Sequence, residues 1–294
     1  MRSVTVVRPG TLTTVQDLGR PGHAHLGVPR SGALDEPAHR IANRLVGNPA
    51  HCATLETTLG GCAVRAAATV TVAVTGAPCP VRVDGRPAAW GAAVRVPAGA
   101  VLDVGPASAG VRSYVAFAGG LAVEPVLGSR SRDLLSGLGP EPLTDGVALP
   151  LGDPCGPSAG ADAVPWPGPP VGELVLPVVL GPRDDWFTPE ALSATLPGNG
   201  FRVSAASNRI GLRTEGPALA RARTGELPSE GMVLGSVQVP PDGHPVVFLA
   251  DHPTTGGYPV VGVVPEPALA AVAQARPGTP VRFVPTRGRA RRTG

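Results

Sequence analysis

Short apolar stretches separated by glycine and proline dominate the hydrophobic pattern of this chain. At Val70, Val72 and Val74, valine alternates with threonine and alanine, which is the period of two that marks a strand with one buried face. The chain holds 39 valines and two isoleucines, together with 40 glycines and 36 prolines. Branched residues favour strands, whereas Gly and Pro favour turns. The pattern therefore predicts a mainly β protein with many short strands and a few short helices.

The same criteria predict further strands along the whole chain. These lie at 4–7, 81–83, 94–96, 101–104, 111–118, 174–180, 233–239, 246–250 and 260–264. The dipeptide Asp84-Gly85 predicts a tight hairpin turn. The polar residues after the first strand predict a long loop that continues to the first helix.

Helical signals are confined to three places. The clearest helix ends at Gly47-Asn48-Pro49, and its apolar residues at helical spacing are Leu34, Ala38, Ile41, Ala42 and Leu45. Thr188, followed by a proline and a glutamate, predicts the capped start of a short helix over 188–196. A last helix is predicted near 266–275.

A stretch rich in Pro, Gly and Ala at 152–172 is the clearest break in composition, and it predicts a linker between two lobes. The N-terminal β-rich lobe then covers 1–151 and the C-terminal one covers 173–286, followed by a basic tail at 287–294. Closely spaced strands with few helices predict a barrel or a sandwich in each lobe.

Composition excludes several classes of function. All 25 basic residues are arginine, so the chain offers no lysine for a Walker-type phosphate loop, a Schiff base or a covalently bound biotin. The net charge of +3 indicates neither a nucleic-acid partner nor a membrane surface. No apolar stretch approaches transmembrane length. The cysteines are Cys52, Cys62, Cys79 and Cys155, and they show neither a CxxC motif nor the spacing of a zinc site. They therefore indicate a cytoplasmic protein with reduced thiols.

Three polar segments with glycines concentrate the residues that suit ligand binding, at 13–35, 204–243 and 249–259. The candidates for substrate or anion binding are Gln16, Asp17, Arg30, Ser31, Asn208, Arg209, Glu230, His252, Thr254, Thr255, Gly256, Gly257 and Tyr258. A Thr-Thr-Gly-Gly turn presents hydroxyl and amide donors together, which suits an anion. We expect the three segments to converge on one concave surface.

Some of these residues have structural alternatives. Ser31 or Asp35 can instead cap the helix that follows, and an Arg–Glu pair can fix the loops of the second segment. His23 and His25 would share a strand face, as zinc ligands do, but no third ligand is evident and no metal is predicted.

The adjacent pair Asp251-His252 invites comparison with a serine-type triad. Neighbouring residues of a strand point to opposite faces, so Asp251 is badly placed to orient His252, and the chain has no GxSxG motif. The sequence therefore argues against a triad, and it identifies no catalytic residue.

Four motifs in consistent order carry a family resemblance: residues 7–49, SNRIGLRTEGP (207–217), SEGMVLGSVQVPPDG (229–243) and TTGGYP (254–259). They resemble the KipA family, also called the C subunit of 5-oxoprolinase (PxpC) or allophanate hydrolase subunit 2, which is grouped with biotin-dependent carboxyltransferases. The resemblance implies a carboxyltransferase-like subdomain A followed by a cyclophilin-like barrel, subdomain B, related to the carboxyltransferase domain of urea carboxylase.

The resemblance also implies a reaction and partners. The expected reaction is the ATP-dependent, Mg²⁺-assisted conversion of 5-oxoproline to glutamate, in a complex with a KipI-like B subunit together with the A subunit of 5-oxoprolinase. In the family, Arg-Gln precedes the Thr-Thr-Gly-Gly turn, whereas this chain has His252 and Pro253 there. Two alternatives stay open: a KipA-type regulator that antagonises a KipI-like kinase inhibitor, and a carboxyltransferase component that uses biotin supplied by another chain.

Overall fold

The computed structural model describes residues 2–159, 168–169 and 172–286. The chain divides into two compact units: unit 1 comprises Met1–Gly22 and Arg30–Pro169, and unit 2 comprises His23–Pro29 and Pro170–Gly294. The basic tail, and residues 160–167 and 170–171 of the predicted linker, lie outside the described residues. None of the helices described is long and apolar enough to span a membrane.

Unit 1 is a sandwich of two antiparallel sheets. The first sheet has the order β11 (Ala148–Pro150), β1 (Ser3–Arg8), β4 (Cys62–Ala66), β9 (Val101–Val104), β6 (Val81–Val83) and β7 (Arg86–Ala88). The second has the order β2 (Leu12–Gln16), β3 (Thr54–Thr58), β10 (Arg112–Phe117), β5 (Val70–Gly76) and β8 (Ala93–Val96). Both sheets contribute to one apolar core, with Val6 and Val104 from the first and Leu55 and Phe117 from the second.

Helix α1 (Glu36–Leu45) packs on the face of the second sheet that points away from this core. Ala38 and Leu45 of the helix pack with Ala73 and Ala116 of the sheet. The carboxylate of Asp35 accepts a hydrogen bond from the Ala38 amide at 3.1 Å, so Asp35 is the N-cap. The predicted helix and its predicted capping alternative at Asp35 are both confirmed.

Unit 2 is built around a closed barrel of seven strands. Their order is β12 (Leu174–Leu180), β19 (Val260–Val263), β16 (Ser236–Gln238), β17 (Val246–Phe248), β14 (Gly211–Glu215), β13 (Phe201–Val203) and β20 (Pro280–Thr286). A parallel pairing of β12 with β20 closes the barrel. Helix α2 (Glu266–Ala273) and a two-stranded pair, β15 (Glu230–Gly231) with β18 (Thr255–Gly256), complete the unit. The prediction of a mainly β fold with barrel architecture is confirmed.

One loop prediction is wrong, because the polar stretch after β1 contains strand β2. Thr13, Thr14 and Gln16 are all buried, so both faces of this strand are covered although its sequence is polar and shows no hydrophobic period. The hairpin at Asp84-Gly85 is confirmed, with both residues at positive φ (47° and 77°) between β6 and β7.

The helix predicted over 188–196 is confirmed over residues 189–195. Pro189 and Glu190 are α-helical, and Ala191–Thr195 form a five-residue π-type helix. The Thr188 hydroxyl accepts a hydrogen bond from the Ala191 amide at 3.2 Å, which is the capping contact that the sequence predicts. The last predicted helix is confirmed as α2.

A layer of buried polar groups lies beside the apolar contacts between α1 and the second sheet. The Glu56 carboxylate accepts hydrogen bonds from the Tyr114 hydroxyl at 2.7 Å and the Leu34 amide at 3.0 Å. The same hydroxyl accepts one from the Asp35 amide at 2.7 Å. Burial, reinforced by the charge of Glu56, holds the pKa of Tyr114 well above its ordinary value. This phenol is therefore a permanent hydrogen-bond donor to Glu56.

His39 lies in the same layer and is fully buried. Its Nε2 lies 2.9 Å from the Ala50 carbonyl and its Nδ1 2.9 Å from the Thr54 hydroxyl. Because a carbonyl only accepts, this pairing assigns the proton to Nε2 and leaves Nδ1 as the acceptor. Burial lowers the pKa of His39 below its ordinary value of 6.5.

We expect His39 to make the stability of the protein depend on pH below about 6.5. In the unfolded chain the imidazole takes a proton as the pH falls through 6.5, whereas the folded chain resists it. Stability from this group is therefore complete above that pH and is lost below it, by up to about 1.4 kcal/mol between pH 7.5 and 5.5. Urea denaturation at both pH values measures the loss, and the H39Q variant, which does not titrate, serves as the control. Equal losses in the two proteins would contradict the assignment.

Candidate functional site

The second and third polar segments meet in unit 2 as a small antiparallel pair of strands, β15 and β18, which are separated in sequence by β16 and β17. Glu230 pairs with Gly256 and Gly231 with Thr255, and the Met232 amide donates to the Thr254 carbonyl at 2.9 Å. We call this element, residues 230–232 with 254–258, the glycine hairpin. Thr255 and Tyr258 of the hairpin are exposed to solvent.

The glycine hairpin lies directly on the barrel wall. The buried amide of Gln238, on β16, donates to the Tyr258 carbonyl at 3.3 Å. A Cβ atom at Gly256 would come within 2.6 Å of Gln238 Nε2 and 3.4 Å of the Met232 side chain. A side chain at residue 256 would therefore have to displace the Gln238 amide, which donates to Tyr258.

Glu230 forms an ion pair with Arg183, a residue that the sequence did not single out. Arg183 Nε donates to Glu230 Oε2 at 3.0 Å and its Nη2 donates to Oε1, so the pair is bidentate. This hydrogen bonding lowers the pKa of Glu230 and raises that of Arg183. Glu230 is thus an ionised carboxylate that fixes one end of the hairpin, which agrees with the alternative of an Arg–Glu pair fixing loops. Its predicted contact with substrate stays a prediction.

A second ion pair, fully buried, joins the loop before β14 to the loop after β17. Arg209 Nε donates to Asp251 Oδ2 at 2.9 Å and Nη2 donates to Oδ1 at 3.0 Å. The side chains are 1% and 0% exposed. This placement gives Arg209 a structural role, and its predicted contact with an anionic ligand stays a prediction.

His252 and Asn208 lie on either side of this pair in sequence. The His252 ring stacks on Phe248, with 5.8 Å between ring centroids and 13° between planes, and its Nδ1 lies 2.7 Å from the Pro253 carbonyl. The Asn208 side chain accepts hydrogen bonds from the amides of Ile210 at 2.8 Å and Gly211 at 3.3 Å. Asn208 therefore shapes the turn that leads into β14.

In unit 1, Asp17 is the centre of a buried network. Its carboxylate accepts hydrogen bonds from the hydroxyls of Ser129 and Ser131, each at 2.6 Å, and from the amides of Arg130 at 2.6 Å and Gly19 at 2.8 Å. Four donors account for the acceptor capacity of this carboxylate. The network fixes the 17–19 turn against the 129–131 segment, a segment that sequence reasoning missed.

The other three candidates in unit 1 are Gln16, Arg30 and Ser31, and they differ in exposure. The Gln16 amide and the Ser31 hydroxyl both donate to the Arg132 carbonyl, at 3.0 and 2.9 Å, and both residues are buried. The Arg30 side chain is 40% exposed, and its Nη2 lies 3.5 Å from Glu36. Of the four candidates in unit 1, Arg30 is the one that presents a charge to solvent.

The structure thus divides the candidates between the two units. Unit 1 contains Gln16, Asp17, Arg30 and Ser31, and unit 2 contains the others. Residues His23–Pro29 of the first segment also belong to unit 2. The strand face predicted for His23 and His25 is wrong, because Ala24–Leu26 forms a 3₁₀ turn. Within the described part of the chain, no group of three or more His, Cys, Asp or Glu residues has a geometry that would hold a metal ion.

Comparison with known families identifies the chain. Residues 26–285 match the family model of the carboxyltransferase domain, subdomain A and B. The chain belongs to this carboxyltransferase family. The C subunit of 5-oxoprolinase from Escherichia coli is 39% identical over 95% of this chain and 90% of its own length. The relationship predicted from the motifs is confirmed.

Larger proteins of the carboxyltransferase family contain the same fold as one part. The urea amidolyase of Lachancea kluyveri is 33% identical over 95% of this chain, which covers 17% of that protein. The crystal structure of the K. lactis urea amidolyase superposes with a TM-score of 0.90 at 30% identity, over 96% of this chain and 18% of that one. The structure of TTHA0988 gives a TM-score of 0.87 at 38% identity, over 97% of this chain. The chain spans 56% of TTHA0988.

The buried Arg209–Asp251 pair leads to a prediction about stability. We expect R209M to destabilise this carboxyltransferase-family protein by about 3–5 kcal/mol, because it leaves the Asp251 carboxylate buried without its partner. Adding D251L should recover much of that loss, since the double variant removes both charges.

Urea denaturation measures the free energy of unfolding of R209M, D251L and the double variant. R183M, in the partly exposed Arg183–Glu230 pair, serves as the control. The control should change stability far less, because solvent screens that pair. Additive effects of R209M and D251L would contradict the interpretation of a coupled buried pair.

Proposed function

We propose that this chain is the C subunit of an ATP-dependent 5-oxoprolinase, acting with a KipI-like B subunit and with the A subunit to convert 5-oxoproline to glutamate. The observation that carries the proposal is the 39% identity to the E. coli 5-oxoprolinase C subunit across 90% of that protein. The corresponding C subunit of Haemophilus influenzae supports it, with 32% identity over 87% of its length. These matches extend over nearly whole proteins, whereas the matches to urea amidolyases cover a small part of each protein.

The glycine hairpin supports a role in holding the substrate. 5-Oxoproline carries one carboxylate and one lactam, and both need hydrogen-bond donors. Thr255 and Tyr258 are exposed residues that carry hydroxyls, and they lie on either side of Gly256 and Gly257. The Arg183–Glu230 pair and Gln238 fix the hairpin, so its donors are held in place before a ligand arrives.

The lactam is stabilised by resonance, so opening the ring requires activation of its amide. ATP, bound with Mg²⁺, would supply that activation by phosphorylating the amide oxygen, which makes the lactam carbon open to attack by water. The C–N bond would then break to leave an acyl phosphate, and a second water would hydrolyse it to glutamate and phosphate. The chain has no lysine for a Walker-type phosphate loop, so its own phosphate contacts would come from arginines and backbone amides. In this proposal the nucleotide binds in the assembled complex. In this proposal the chain's own part is to bind and orient 5-oxoproline.

Carboxyl transfer is the second candidate function, favoured by one observation. The crystal structure of the Kluyveromyces lactis urea carboxylase superposes with a TM-score of 0.90 at 30% identity. In that case biotin would be attached to another chain, because this one has no lysine to carry it. A KipA-type regulator would need only an interface and no turnover.

Reconstitution with the A and B subunits separates these functions. The proposal expects ATP hydrolysis that depends on 5-oxoproline, requires all three proteins and is insensitive to avidin. Loss of turnover on adding avidin would instead identify biotin-dependent carboxyl transfer. Tight binding to the B subunit without any turnover would identify the regulator.

Two glycines of the hairpin provide a sharp test of the proposed site. We expect G256A to lower kcat/KM for 5-oxoproline by about 10-fold, because the new Cβ would push the Gln238 amide away from Tyr258 and so loosen the hairpin. The matched control is G231A, whose Cβ would meet nothing within 4 Å. Thermal melting of both complexes verifies that they are folded. Equal activity of the two variants would refute this location for the site.

A further inference from the structure

Two cysteines that are far apart in sequence lie next to each other in unit 1. Cys52 lies between α1 and β3, and Cys155 lies in the segment after β11. The Cys155 thiol contributes to the electrostatic environment of the Cys52 thiol, so the two side chains are neighbours. Cys155 is exposed and Cys52 is partly buried, whereas Cys62 and Cys79 belong to the apolar core of the sandwich.

The surrounding backbone holds Cys155 near Cys52. On one side, the Gly152 amide donates to the Gly120 carbonyl at 3.1 Å, and a Cβ on Gly120 would lie 3.3 Å from Cys52 Sγ. Gly120 therefore touches both segments.

On the other side, the chain after Cys155 packs against the end of α1. A Cβ on Gly47 would lie 2.4 Å from the Pro157 carbonyl and 2.8 Å from the Gly156 carbonyl. Cys155 thus lies between two points where residues 152–157 contact the rest of unit 1. The first point touches Cys52, and the second lies at Gly47, five residues before Cys52 in sequence. A bond between the two sulfurs would fasten a segment that already follows this surface.

We propose that Cys52 and Cys155 are the two halves of a reversible disulfide, which locks residues 152–157 onto unit 1 when low-molecular-weight disulfides accumulate. The thiols are reduced in the structure and stay so in a reducing compartment. Nothing in the proposed 5-oxoprolinase activity uses either thiol, so this site is independent of that function.

The reaction proceeds by two thiol–disulfide exchanges. Exposed Cys155, as its thiolate, attacks glutathione disulfide and forms a mixed disulfide, releasing one glutathione thiolate. Cys52 then loses its proton to solvent and attacks Cys155 Sγ, which forms the Cys52–Cys155 bond and releases the second glutathione. Two protein thiols are oxidised to one disulfide, and one glutathione disulfide is reduced to two glutathione molecules.

The second exchange sets the pace of locking. Burial, with the neighbouring Cys155 thiol, raises the pKa of Cys52 to about 11. Only a small fraction of Cys52 is thiolate at neutral pH, so closure is slow there and accelerates as the pH rises toward 9.

The proposal is tested by oxidation of the full chain. The protein is treated with glutathione disulfide, the remaining thiols are alkylated in denaturant, and the peptides are mapped by mass spectrometry. We expect two of the four cysteines to be protected, a linked Cys52–Cys155 peptide, and a rise in Tm of roughly 5–15 °C that dithiothreitol reverses. C79A should behave like the wild type. C155S should show neither linkage nor shift, and C52S should retain glutathione on Cys155.

Other products would overturn the proposal. A wild-type chain that keeps glutathione on Cys155 while Cys52 stays free would show that the two sulfurs do not reach each other. Linkage between two chains, seen as a dimer on a non-reducing gel, would show that Cys155 pairs with another molecule. A linked peptide without any rise in Tm would show that the bond does not fasten the segment.

Discussion

The buried ion pair between Arg209 and Asp251 is the contact on which the polar loops of unit 2 depend. It ties the start of β14 to the end of β17, and the Asp251 amide repeats the link by donating to the Arg209 carbonyl at 3.1 Å. A charge in such a dry position is tolerated only with its partner in place, so the two loops have one stable arrangement. The second strand segment of the glycine hairpin, 254–258, begins three residues after Asp251. The ion pair therefore fixes the chain just before that segment.

The fold was predictable wherever burial follows the hydrophobic pattern. The valine strands of the barrel and the hairpin at Asp84-Gly85 follow from side-chain period and turn chemistry alone. Strands β2 and β3 could not be predicted in this way, because Thr14, Gln16 and Glu56 are buried polar residues on the face that meets α1. Their burial is stabilised by partners on other strands and on the helix, and a single sequence does not display such pairings.

The site was predictable to the extent that antiparallel pairing brings two sequence segments together. Because β14 pairs with β17, residues that precede β14 and residues that follow β17 lie at one end of the barrel. Arg183, which lies before β13, had no signal in sequence beyond its charge. In unit 1, Asp17 was a candidate for ligand binding because it carries a carboxylate. That carboxylate accepts hydrogen bonds from the 129–131 segment, and the sequence does not show a contact between residues so far apart.

The arginines of this chain show why charge alone did not locate a binding site. With so many glycines and prolines, the chain turns often, and turns leave carbonyls without strand partners. Arginine side chains donate hydrogen bonds to such carbonyls. Arg2 donates to the Ala118 carbonyl at 3.0 Å and Arg130 donates to the Val123 carbonyl at 2.7 Å. A guanidinium has several donors in one plane, so it joins two loops where lysine would offer a single point charge. In such a chain the number of arginines does not locate a ligand site, because many of them are occupied by backbone carbonyls.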